Sequence, residues 1–184
     1  MRFLPLPALF VLMTIGTPAS AANVDYARSE ITFVSKQMNV PVQGRFKKFN
    51  AKIDFDPKKP AASKAELEVD LASIDTGSPD ADAEVGKKAW FNTSVFPTAK
   101  FASVSVTQTG ADKYEARGKL SIKGIGQDVI APFTVKRAGD AVTFEGGFTL
   151  KRLQFKIGEG VWSDTETVAD EVQVTFRIVT TGNK

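Results

Sequence analysis

The chain has 184 residues, 42% of them apolar, with 24 lysines and arginines against 21 acidic residues and neither cysteine nor histidine. Without histidine or cysteine there is no Ser-His or Cys-His nucleophile pair, no imidazole proton shuttle and no thiolate metal site, and zinc, copper and haem iron lose their usual ligands. A net charge of +3 is too balanced to favour nucleic acid, and a chain with no disulfide must hold itself together by apolar burial.

Residues 1–21 read as a cleavable signal peptide. Arg2 supplies the positive start, Leu4–Ile15 is apolar apart from two prolines and a threonine, and Ala19-Ser20-Ala21 is a small-residue cleavage site. A membrane anchor is the other reading, but the run is short for a bilayer and Pro18 interrupts it. Cleavage would leave one exported domain, residues 22–184, with a net charge of +2.

Period-two alternation then dominates, the pattern of half-buried strands. Ile31 and Phe33 begin a first strand expected to run through Lys36 into Val40-Pro41-Val42. Ala51, Ile53 and Phe55 alternate with charged residues, as do Ala65, Leu67, Val69 and Leu71. Pro79–Trp90 breaks the pattern: proline and acidic residues open it and Lys87-Lys88 close it, which predicts a short helix. Strands resume with Ala102, Val104 and Val106. Tyr114, Ala116, Leu120 and Ile122 follow, with a register break expected at Gly118. Val129 to Val135, Val142 to Phe148 and Val172 to Ile178 complete the set. Turn signals at 56–60, 109–112, 123–126 and 138–140 separate the runs. About eight short strands at hairpin spacing predict an all-β antiparallel barrel or sandwich, and periodicity does not choose between them.

Little in the sequence points to catalysis. Asp80-Ala81-Asp82-Ala83-Glu84 has carboxylates but Val85 and Phe91 where a calcium loop needs glycine and a carboxylate. Gly124-Ile125-Gly126 lies between strands and reads as a hairpin turn, not a phosphate cradle. A glycosidase-like carboxylate pair has no positive feature behind it. The remaining signal is aromatic: of 14 phenylalanines, 12 follow residue 21, against two tyrosines in the whole chain. Phenylalanine offers a large apolar surface with no polar atom to satisfy, which on the residues alone favours a packed core over an apolar cavity.

One ordered set of motifs chooses between those uses. Lys151–Trp162 (KRLQFKIGEGVW), Gln43–Phe49 (QGRFKKF), Ser73–Gly77 (SIDTG), Trp90-Phe91 and Phe96–Phe101 (FPTAKF) together resemble the YceI-like family, periplasmic lipocalin-like barrels that bind polyisoprenoid lipids. The resemblance runs from about Val24 to Thr181. It implies a lipocalin-like barrel of about eight strands with a short helix near one end. It also implies a non-enzymatic role, with a bound isoprenoid lipid in place of a cofactor and no metal. The implied cavity is lined by Phe33, Phe46, Phe55, Leu67, Trp90, Phe91, Phe96, Phe101, Leu120, Ile122, Phe133, Phe144, Phe148, Phe155 and Trp162, with Gln37, Arg45 and Arg152 near the ligand headgroup. The two tryptophans read equally as lid or as plain packing. Where the family often has Lys-His, this chain has Lys36-Gln37, and Gln154 stands where many members have aspartate. Both changes remove charge, which shifts the expected headgroup from a polyprenyl phosphate toward a neutral quinone; a fatty acid would also fit. Implied partners are a membrane cytochrome b-type protein and a second copy in a homodimer. The alternative is a structural or interaction module with a filled core that docks on a membrane redox or envelope protein.

Overall fold

A computed structural model describes residues 22–182; the predicted signal peptide lies outside them. Eleven strands occur among the described residues: β1 (Asn23–Val24), β2 (Glu30–Gln37), β3 (Val40–Phe46), β4 (Phe49–Asp54), β5 (Lys64–Asp70), β6 (Ile74–Asp75), β7 (Thr98–Gly110), β8 (Lys113–Ile122), β9 (Ile125–Ala138), β10 (Ala141–Lys151) and β11 (Glu171–Thr181). One helix, α1 (Pro79–Val85), lies between β6 and β7. Every strand pair is antiparallel, in the order β4-β5-β7-β8-β9-β10-β11-β2-β3-β6, with β1 added against β11. This is the antiparallel lipocalin-like barrel expected from the sequence, in the form of a single strongly curled sheet.

The two ends of the sheet meet at a corner. The chain leaves β3 and enters β4 through Lys47-Lys48, and leaves β5 for β6 through a short 3-10 turn, Leu71–Ser73. The two crossings are laced together: Lys47 N–H donates to Ser73 O (3.0 Å), Lys48 N–H to Ser73 Oγ (3.0 Å) and Asp70 N–H to Lys48 O (3.0 Å). Buried Ser73 therefore replaces the ladder that neither crossing can make with a flat neighbour.

Three local expectations are corrected. The first strand is two, β2 and β3, joined by a hairpin whose turn residues Met38 and Asn39 have φ of 49° and 64°. Positive φ at both positions matches the right-handed twist of the flanking strands, and nothing in Gln37-Met38-Asn39-Val40 carries the usual Asn-Gly signature. The helix ends at Val85, not Trp90. Ser78 Oγ accepts from Ala81 N–H (3.4 Å), Pro79 sits in the first turn and Asp80 and Asp82 complement the dipole. At Gly86 the chain turns back, with Phe91 N–H donating to Val85 O and Thr93 N–H to Gly86 O (both 3.0 Å). Finally, Gly118 breaks no register. It shares the buried face of β8 with Tyr114, Ala116, Leu120 and Ile122, and a methyl group there would meet the Phe101 ring and Ala102 O. The irregularity is in β7 opposite, between Ser103 and Ser105.

The barrel has two differently built ends. The floor is an aromatic cluster. The Phe55 ring stands edge-on to Tyr114 (5.1 Å) and Phe144 (5.3 Å), and Tyr114 stacks on Phe133 (5.5 Å). The roof consists of α1, the turns of residues 86–97, and the irregular loop 152–170 between β10 and β11.

Candidate ligand cavity

Between floor and roof the barrel is hollow. A cavity of about 620 Å³ occupies the interior, mid-range for small-molecule sites. Its wall is made by the inward alternates of the strands, such as Leu67 and Val69 on β5, Phe101 on β7, Phe148 and Leu150 on β10 and Val172, Val174 and Phe176 on β11. All of these are only half-buried, although they point away from bulk solvent. In a filled core they would be fully covered; here their inner surfaces face open space.

The apolar residues expected at the cavity line it, with two exceptions. Phe96 lies outside, its ring against Gly124 in the β8–β9 turn. Phe155, 1% exposed, is packed into a cluster with Leu71, Leu120 and Ile157 behind the wall. Both belong to segments that leave the strand pattern, so alternation does not assign their faces. Phe176 is an addition to the expected lining; it shares a face with Val174 and Ile178, and that alternation is visible in the sequence. Thr76, Ser78, Ala81, Glu84 and Val85 are further additions, which reach the cavity because α1 is laid across its end.

The three polar expectations separate. Gln37 is exposed at the mouth and lines the cavity; its amide makes no hydrogen bond among the described residues. Arg45 points to the outer surface, where it pairs with Asp75 (3.2 Å). The Asp75 carboxyl is held below its ordinary range, first by the Gly77 N–H and next by Arg45. Arg152 is the larger correction. It is 2% exposed, and its guanidinium donates to five carbonyls: Ala169 (3.0 Å), Ile157 (2.8 Å), Gly158 (3.1 Å), Trp162 (2.7 Å) and Val168 (2.7 Å). A guanidinium has five N–H donors, so none remains for a headgroup. Burial pulls its pKa below the ordinary arginine value, and the nearby Asp170 partly offsets this.

Arg152 is therefore the latch of the roof. Gly158, with φ of 79°, lies so close that a methyl group would overlap the guanidinium. That accounts for the first of the two loop glycines. The Trp90 ring lies 5.8 Å from the Arg152 carbon, and the Trp90 and Trp162 rings are 5.5 Å apart. Trp90 Nε1 is buried with no acceptor, unlike every other buried side-chain nitrogen or oxygen among the described residues. A second tie joins the roof to the β8–β9 turn. Lys123 Nζ, its side chain 8% exposed, donates to Lys88 O (3.0 Å), Lys156 O (2.7 Å) and Glu159 Oε2 (2.8 Å). That bond is the main reason the Glu159 carboxyl is held below its ordinary value.

Fold and cavity define a lipocalin-like barrel with an apolar interior, built to enclose a ligand. The chain belongs to the YceI-like domain family, which it matches over residues 23–180. It is 30% identical to a UPF0312 protein of Azotobacter vinelandii over 145 residues, 73% of this chain and 71% of the relative. It is 37% identical to a UPF0312 protein of Photorhabdus laumondii over 127 residues, 64% and 65% of the two chains. Among solved structures it is similar to Burkholderia cenocepacia BcnA, with a TM-score of 0.85 and 45% identity, covering 86% of this chain and all of that one. A polyisoprenoid binding domain from Saccharophagus degradans has the same fold, with a TM-score of 0.70 at 16% identity over 88% and 98% of the two chains.

Proposed function

We propose that this protein is a periplasmic, non-catalytic carrier that holds an isoprenoid lipid in its barrel, with a quinone preferred over a polyprenyl phosphate. The hollow apolar interior carries this reading, because inward-facing phenylalanine, leucine and valine side chains are left uncovered around the cavity. The Saccharophagus degradans domain with the same fold is described as polyisoprenoid-binding. Each buried methylene is worth about 0.8 kcal/mol, so one five-carbon unit contributes roughly 3 kcal/mol before ordering costs.

The mouth supports an uncharged head. Its polar lining is Ser35, Gln37, Thr76, Ser78, Glu84 and Arg152, while Asp54, Ser63 and Lys64 line the cavity at the floor end beside Phe55. Thr76 Oγ1 is already bonded to Asp82 (2.7 Å) and Glu84 is paired with Lys87 (2.6 Å). Arg152, the cation under the roof, has no donor to spare for a phosphate. The Gln37 side-chain NH2 can donate to a quinone carbonyl. The buried indole N–H of Trp90 needs an acceptor oxygen, which a ligand carbonyl supplies once the roof indoles shift.

The test is native mass spectrometry of the purified protein, followed by organic extraction and competition between ubiquinone and a polyprenyl phosphate of equal tail length. A stoichiometric extractable quinone is expected. A bare mass unchanged by either lipid removes the carrier reading, and a win for the phosphate removes the quinone preference. The cytochrome b-type partner and the homodimer belong to the same reading; co-purification and solution mass test them.

A further inference from the structure

One buried group in the roof is left unsatisfied by every bond described above. Trp90 lines the cavity, and its Nε1 is buried with no acceptor for its N–H among the described residues. An indole nitrogen donates and never accepts. The carbonyls around it already have donors. Ala89 O accepts from both Gly158 N–H and Glu159 N–H (2.8 Å each). Ile157 O, Gly158 O and Trp162 O accept from Arg152, whose guanidinium carbon lies 5.8 Å from the Trp90 ring. The underside of the roof thus holds one spare donor beside carbonyls that are already taken. Reaching that donor takes a turn of the indole against Trp162, 5.5 Å away.

The other polar groups of the cavity do not repeat this one-sided chemistry. Ser35 and Gln37 share one face of β2 at the mouth, and a hydroxyl or an amide donates and accepts alike. Thr76 Oγ1 is bonded to Asp82 (2.7 Å), and the Glu84 carboxylate is held by exposed Lys87 (2.6 Å). Asp54, Ser63 and Lys64 belong to the floor end, away from the roof. The mouth therefore receives a carbonyl or a hydroxyl equally, and any discrimination between them falls to Trp90.

We propose that this protein distinguishes the two redox states of its ligand, holding the oxidised quinone in preference to the quinol, and that Trp90 is the residue that sets the preference. This preference rests on the carrier reading above. A quinone carbonyl only accepts, so it satisfies the indole N–H and brings no donor of its own. A quinol hydroxyl in the same place can accept from Trp90, but its proton is then buried beside carbonyls that already hold donors. Leaving one buried donor unsatisfied lowers the quinol's affinity about tenfold. Ring and tail are the same in both states, so apolar burial cancels from the ratio. The barrel thus holds the lipid less firmly once two electrons and two protons have been added to it.

The test is equilibrium dialysis of the purified protein against a short-tailed ubiquinone, and against the same compound kept reduced by dithionite under argon. A dissociation constant about tenfold lower for the quinone is expected. Redox titration of the bound couple should then show a two-electron potential lowered by about 30 mV. Trp90→Phe keeps an aromatic ring and removes the donor, so the ratio should fall to about one while lipid is still bound. Gln37→Leu should weaken both states by the same factor and leave the ratio as it was. The ratio and potential of the parent decide the matter even where Trp90→Phe fails to fold. Equal affinity of the parent for both states overturns the proposal, as does tighter binding of the quinol, the outcome if Glu84 accepts its proton. A tenfold ratio that survives Trp90→Phe overturns it too, and all three results leave the carrier reading standing. Failure of both states to bind removes the carrier reading itself, and the redox preference with it.

Discussion

The two ends of this barrel are closed by opposite kinds of chemistry. At the floor, Phe55, Tyr114, Phe133 and Phe144 meet edge-on, tilted or stacked, with ring centroids 5.1 to 6.3 Å apart. At the roof, one arginine and one lysine hold the loops by eight donated hydrogen bonds, seven of them to backbone carbonyls. Ring contacts are short-ranged and individually weak, so their loss is gradual; a charged donor holding several carbonyls is all-or-none, because each freed carbonyl must find water. The difference teaches where such a barrel can open. The floor is part of the fold, whereas the roof is a set of loops held down at a few points.

Variants at each end test that division. The largest effect is expected from Arg152→Met, which leaves five carbonyls without their donor; about 4 kcal/mol of stability should be lost in a urea titration, with faster ligand release. If stability falls but release does not quicken, the roof is not the gate. Phe55→Ala should cost about 3 kcal/mol and leave the release rate per folded molecule unchanged; faster release would make the floor a second exit. Lys123→Met should cost about 2 kcal/mol and quicken ligand exchange more than Phe55→Ala does, read by stopped-flow transfer to vesicles. The smallest effect is set by pH. The Glu159 carboxyl is held down by Lys123, so its contribution is complete above the ordinary glutamate value and is lost as pH falls through the lowered folded value. Below about pH 4, ligand exchange should rise before the barrel unfolds, and Glu159→Gln should remove that pH dependence. An acid profile unchanged by Glu159→Gln would show that the tie does not hold the roof.

Much of the wall is legible in the amino-acid pattern. Tyr114, Ala116, Leu120 and Ile122 alternate, and so do Val172, Val174 and Phe176, because successive strand side chains face opposite ways. Phe96 and Phe155 escape that pattern because they lie in turns, where alternation carries no information. Arg152 escapes it for a different reason. Its partners Ile157, Gly158, Trp162, Val168 and Ala169 are a loop's carbonyls, and a backbone carbonyl is the same at every residue, leaving no trace in the sequence. The roof's polar lining is equally hidden, because α1 reaches the cavity only through the path of the chain between β6 and β7.

Local sterics and side-chain chemistry settled the strand faces, most turns, the Ser78-Pro79 helix start and the absence of histidine and cysteine chemistry, since each depends on residues a few positions apart. Whether the inward faces meet one another or stand back around a cavity depended on how far the sheet curls. That curl is fixed by the Lys47–Ser73 corner. It joins segments 25 residues apart, whose encounter is a property of the curled sheet, so the hollow interior was decided at the tertiary level alone.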